Sequence, residues 1–322
     1  MGDIDSEGKQ YFSVNSIFAD LFNFLLYDGK PVIQPDKLKE LDTTEIAIPY
    51  GNGARVPVQK YRDLLKLWSA MMDDDAIYVM LGAELQDKIH YAMPVRRGLY
   101  DMIGYSRQVE EAGKSYRKKP DKKDGDLYAE DGTIKIRLSS EEFLSGFRKE
   151  DKLIPIITAT VYLSADKWDG PLDLHDMIDV KDKGLLKFIP NYPINLIAPA
   201  NMQDADFAKF STDLGLAMKV LKHQKEKSIA DIILDTGHRK VDRNTAVFLN
   251  NVSNLGLVFK ETEGDVDMCA GMEEYSKEKE VSGAIKAYKL DGKSDEDIIA
   301  KVMKLFDVSR EYVQNLLTPK AV

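Results

Sequence analysis

The chain has 322 residues, 43% of them hydrophobic, which is enough for one large or two medium domains with a real core and excludes a disordered protein. A formal net charge of −9 excludes a protein that coats nucleic acid by bulk electrostatics, although basic residues cluster locally in "PVRRGLY" and "GKSYRKKPDKKDG". The lone Cys269 excludes an intrachain disulfide, no leader pattern opens the sequence, and the longest apolar run, "LIPIITATVYL", is too short to span a bilayer. A cytoplasmic protein without a membrane segment is expected.

From Val14 to Tyr27, Ile17, Leu21, Phe24 and Leu25 recur at helical spacing, and Asp28-Gly29 ends the run, which predicts a first helix buried on one face. "TTEIAIPY" predicts a short strand that closes in the Gly51-Asn52-Gly53 turn. Two more strands are predicted over Tyr61–Trp68 and Ile77–Gln86, joined around Asp73-Asp74. Pro94 opens a predicted helix running to about Lys114, with Val95, Leu99, Met102, Tyr105 and Val109 as its apolar stripe. Its other face carries Arg96, Arg97, Arg107 and Gln108. Residues 118–140 read as an exposed insertion with a small hairpin.

"KLIPIITATVYLS" and "INLIAPA" are almost continuously apolar, as strands covered on both faces are. The central sheet is therefore flanked by helices. From Met202 onward the pattern is nearly all helical, and in the tail Ser294 and Ser309 each open a short helix. The expected division is a sheet domain over residues 1–200 and a helical region over 201–322, with a helix pair at about 294–317. Trp68 and Trp168 read as packing residues.

Antiparallel pairing symmetric about Asp73-Asp74 opposes residues whose numbers sum to 147, so Asp63 faces Glu84. Gln86 shares the Glu84 face by alternation. Two carboxylates meeting on an apolar hairpin repel unless a cation joins them, and hard oxygen ligands of this kind suit magnesium or manganese. The competing reading is an ordinary polar strand end that meets solvent. His90, His175, His223 and His238 show no metal-ligand spacing, so zinc is not expected.

The blocks "FADLFNFLLYDG", "LDTTEIAIP", "QKYRDLL", "GAELQ" with "MPVRRGLYDMIGYSRQ", "DKLIPIITATVYLS" with "WDGPLDLHDM", and "SDEDIIAKVMKLFDVSREYVQNLL" follow one another through most of the chain. In this order they resemble the recombination-promoting nuclease (Rpn) family of transposase-like proteins in the PD-(D/E)XK nuclease superfamily. The resemblance implies an α/β fold with a mixed central sheet of restriction-endonuclease type. It also implies magnesium- or manganese-dependent hydrolysis of DNA phosphodiester bonds, in recombination, mobile-element or defence biology. By the resemblance Asp63 and Glu84 hold the metal, and Gln86 stands where the wider superfamily usually has lysine. Such proteins often add an acid from the first helix, for which Asp20 is the candidate.

Arg96, Arg97 and Arg107 are candidates for DNA phosphate contacts, against a simply solvated helix face. The rival function is a non-catalytic binding or assembly module that keeps the nuclease fold. The tail residues Ile298, Ile299, Val302, Met303, Phe306, Val313, Leu316 and Leu317 form two apolar faces that must dock on something. The alternatives are the same chain and a homodimer contact that would bring two sites to opposite DNA strands.

Overall fold

The structure, a computed structural model, describes residues 4–47, 58–72, 75–117, 126–128, 134–236, 240–253, 255–257, 259 and 264–317. The chain divides into two compact units, residues 3–226 and residues 227–322.

The first unit opens with α1 (Ile4–Ser13) and α2 (Asn15–Tyr27). α2 is the helix expected from periodicity, and it ends where Asp28 and Gly29 both take positive φ. α1 was not expected, because "IDSEGKQYFS" carries no helical apolar repeat. Then come β1 (Leu38–Glu40), β2 (Thr44–Ala47), β3 (Val58–Tyr61), β4 (Leu64–Met72), β5 (Asp75–Gln86) and α3 (Met93–Arg117). A small hairpin, β6 (Asp126–Tyr128) and β7 (Ile134–Arg137), falls in the expected insertion, much of which lies outside the described residues. It is followed by α4 (Ser140–Ser145), β8 (Ile156–Tyr162), β9 (Asn195–Ile197), α5 (Asp204–Phe207) and α6 (Leu214–His223).

The main sheet has the order β1-β4-β5-β8-β9, antiparallel from β1 to β5 and parallel from β5 to β9. It is a mixed five-stranded sheet between helices. The predicted Tyr61–Trp68 strand divides at Arg62 and Asp63: Tyr61 closes a separate β2-β3 ribbon, and β4 begins at Leu64.

One face of the sheet is apolar. Leu64, Trp68, Val79, Leu81, Ala83, Leu85, Ala159 and Val161 are buried there under Phe12 of α1 and Phe18 and Phe22 of α2. Lys66 is the exception on this face. Its ammonium donates to the Ser13 carbonyl and to Asn15 Oδ1 and lies 5.1 Å over the Phe18 ring, so it fastens the corner between α1 and α2. Burial pulls its pKa down, against the raising effect of Glu40.

The opposite face carries Gly82, Glu84, Thr158 and Thr160 among its buried residues, and α3 covers it. This orients α3 differently from the sequence expectation. Val95, Leu99 and Met102 are 49%, 39% and 47% exposed, whereas Met93, Tyr100, Asp101 and Ile103 are buried. A polar sheet floor selects the helix face that can bond to it, even though a more regular apolar stripe is available.

α6 belongs to this unit, so the division falls after Glu226 and not at residue 200. Phe24 of α2 stacks on Phe210 just before α6, with ring centroids 4.5 Å apart. Trp68 and Trp168 are both buried, as expected of packing residues.

The second unit contains α7 (Ile229–Thr236), β10 (Lys240–Asp242), α8 (Arg243–Val252), β11 (Asp265–Asp267), α9 (Met268–Leu290), α10 (Asp295–Phe306) and α11 (Arg310–Leu317). Ser294 accepts from the Asp297 N–H and Ser309 from the Tyr312 N–H, so both expected serine starts are present. Ile298, Ile299, Val302, Val313 and Leu317 are buried together with Val281 and Ile285 of α9. The apolar faces considered for a dimer contact are covered inside the chain. Among the described residues, no helix is long and apolar enough to cross a membrane.

Candidate functional site

β4 and β5 pair from Met72↔Asp75 to Leu64↔Ala83, each pair summing to 147, so Asp63 follows as the position opposite Glu84. Asp63 sits one residue before the start of β4. Its Oδ2 accepts the Leu85 N–H at 2.9 Å, and its Oδ1 lies 2.9 Å from Lys9 Nζ of α1.

Glu84 lies within the sheet, beside Thr160 of β8, and is 0% exposed. Neither of its carboxylate oxygens has an aligned hydrogen-bond donor, and Thr160 Oγ1 is likewise buried without one. Arg96 Nη2 approaches Glu84 Oε2 to 3.1 Å, an ion pair without hydrogen-bond alignment. Burial, and then the negative charge of Asp63, push the Glu84 pKa up to about 8, against the opposing pull of Arg96, Arg62 and a weak contact from the Asp63 backbone. Gln86 gives the site no charge: its amide donates to the Leu85 carbonyl at 2.6 Å.

Behind Glu84 runs a second polar cluster. Buried Arg62 reaches Thr158 Oγ1 at 2.5 Å and Asp101 Oδ1 at 3.3 Å, and the Thr158 hydroxyl donates to the same Asp101 oxygen at 2.8 Å. Gly82 leaves room for Arg62, since a Cβ there would come within 2.7 Å of Nη1. Arg96 donates to the Tyr100 hydroxyl at 3.1 Å, and the Arg62 and Arg96 guanidinium groups lie 5.4 and 5.5 Å from the Tyr100 ring. β4, β5, β8 and α3 thus hold a continuous polar layer within the fold.

Of the residues expected from sequence, Asp63, Glu84 and Arg96 converge, and Gln86 lies at the same strand end. Arg97 does not face outward: its Nε lies 3.4 Å from Asp101 Oδ2. Arg107 pairs with Glu111 at 3.0 Å and lines a separate cavity of about 270 Å³ with Leu41, Met80 and Ile156. Asp20 does not join the site. Its two oxygens accept from the backbone N–H and hydroxyl of both Ser211 and Thr212, which ties α2 to the start of α6.

Lys9, Arg62, Asp101, Thr158 and Thr160 were missed from sequence. The two threonines had a readable signal, because Thr-x-Thr inside an apolar strand puts two hydroxyls on one face. Arg62 and Asp101 are 39 residues apart and had none.

Among the described residues, no group of three or more His, Cys, Asp and Glu side chains gathers as a metal cluster. No family model, curated protein or solved structure matches the chain.

Proposed function

We propose that the chain hydrolyses DNA phosphodiester bonds with the help of a magnesium or manganese ion held by Asp63 and Glu84. The observation that carries this reading is Glu84. A carboxylate wholly out of water, with one unaligned guanidinium beside it, no aligned donor on either oxygen and a second carboxylate close enough to raise its pKa, is unfavourable as an anion until a further cation arrives. A divalent cation is what this donor set fits.

Asp63 fits as the second ligand because its partner Lys9 is 45% exposed and can turn into solvent when a cation takes its place. When bound, such an ion supplies Lewis acidity toward the phosphate and acidifies a water. Arg96 provides a positive charge at the mouth of the polar layer, held in place by Tyr100. The Gln86 amide, once released from the Leu85 carbonyl, can orient a water or a phosphate oxygen. The cluster of Arg62, Asp101 and Thr158 keeps the floor under Glu84 rigid.

The run of helix, antiparallel strands, helix and parallel strand agrees with the PD-(D/E)XK core that the sequence resembles. Supercoiled plasmid incubated with the purified chain should be cut in magnesium or manganese and remain intact in EDTA. Glu84→Gln should lower cleavage by at least about 100-fold, the scale of losing a transition-state charge contact. Plasmid left intact both with and without metal would overturn the reading in favour of a binding or assembly module.

A further inference from the structure

We propose that Lys9 is the substrate-facing cation of this site, delivered by α1; the inference rests on the proposed nuclease reading. The charge balance raises the need. Asp63 and Glu84 together offset a divalent cation and Arg96 offsets the single charge of a phosphodiester, so the further negative charge that builds on its non-bridging oxygens as the phosphorus is attacked calls for another cation.

β5 itself offers no cation, because position 86 is an amide turned to its own backbone. Arg96 is held in place by the Tyr100 hydroxyl and ring. Lys9 is the cation on the Asp63 side of the site. Its Nζ lies 2.9 Å from Asp63 Oδ1, its side chain is 45% exposed, and it comes from a helix on the other side of the sheet from α3.

The approach of α1 is built in. Gly8 is buried, and a Cβ there would come within 2.9 Å of Leu163 Cδ1 and 3.3 Å of Leu85 Cδ1, while Tyr11 and Phe12 are buried one turn on. α1 therefore rests directly on the ends of β5 and β8, and the next residue, Lys9, reaches Asp63.

In this role Lys9 yields the Asp63 oxygen to the divalent cation and donates to a non-bridging oxygen of the scissile phosphate, keeping its own protons. The oxygen of a water forms the new bond to phosphorus and its proton passes to solvent. The bond to the leaving sugar oxygen breaks, and that oxygen takes a proton from solvent.

Full-length Lys9→Met separates this role from a structural tie, with three readouts: thermal melting, Mn²⁺ affinity by calorimetry, and the kinetics of DNA cleavage in magnesium. Removing the competitor for Asp63 should leave Mn²⁺ binding at least about two- to fivefold tighter, a lower bound set by the scale of a fully exposed ion pair. At the same time kcat should fall about 100-fold with KM nearly unchanged. Lys9→Gln serves as the second variant should the methionine form not fold. Cleavage at the wild-type rate overturns the role, and so does a joint loss of Mn²⁺ affinity and cleavage, which would make Lys9 a structural tie. A wild-type chain that neither binds Mn²⁺ nor cuts DNA overturns the nuclease reading itself, and the role of Lys9 with it.

Discussion

Glu84 is the residue on which the proposed chemistry turns, and its position makes the protein's stability depend on pH. In the folded chain its pKa is raised from the ordinary 4.5 to about 8, so between these values the native state holds a proton that the unfolded chain has released. Stability from this group is therefore fully present below about pH 4.5 and is lost as pH rises through 8, with a slope of at most about 1.4 kcal/mol per pH unit. Glu84→Gln keeps the shape and removes the ionisation. Without divalent ions, this variant should melt at least about 2 °C above wild type at pH 8.5 and close to it at pH 4. Equal melting temperatures at both pH values would mean that Glu84 does not sit in the buried environment described. Asp101→Ala should do the reverse, because it leaves Arg62 buried without its carboxylate. A loss of about 3 kcal/mol or more in denaturant unfolding is expected, and a loss under about 1 kcal/mol would show that the Arg62–Asp101 pair contributes little beside Thr158 and Tyr100.

At the scale of elements, the β4-β5 hairpin was legible because a symmetric turn fixes register once its centre is known, and the Asp63–Glu84 opposition came with it. The β8 strand was legible because a parallel strand buried on both faces has almost no polar positions. α3 was not. Its most regular apolar stripe is Val95, Leu99 and Met102, and periodicity assigns that stripe to the core. The core it meets is a polar floor of Glu84 and Thr158, which binds Arg96 and Asp101 instead, while Arg97 and Tyr100 pair with those two residues along the helix. Long-range partners of this kind cannot be seen in a local window. Two substitutions one turn apart test the orientation. Leu99→Lys, on the exposed side, should change stability by less than about 0.5 kcal/mol. Ile103→Lys, 5% exposed, should cost several kcal/mol or abolish soluble expression. The opposite ranking in chemical denaturation would return α3 to the face predicted from its sequence.

At the scale of the whole molecule, the tail is core to its own unit: α10 and α11 cover Val281 and Ile285 of α9. Truncation after Asp291 should uncover these residues and produce a chain that binds hydrophobic dye and aggregates on heating. A truncated chain that stays soluble and dye-negative would place the tail outside the core. The caps and apolar faces of these helices were legible from sequence; which surface covered them was not, since a helix pattern names a buried face without naming its partner. The central claim is that Asp63 and Glu84 form one cation site, and its most direct test is calorimetric titration of Mn²⁺ at pH 7 in two buffers of different ionisation enthalpy. Glu84 is mostly protonated at that pH, so binding should release close to one proton per chain, and Glu84→Gln should abolish both the binding and the release. Undiminished Mn²⁺ binding by Glu84→Gln, or binding by the wild type without proton release, would contradict the account.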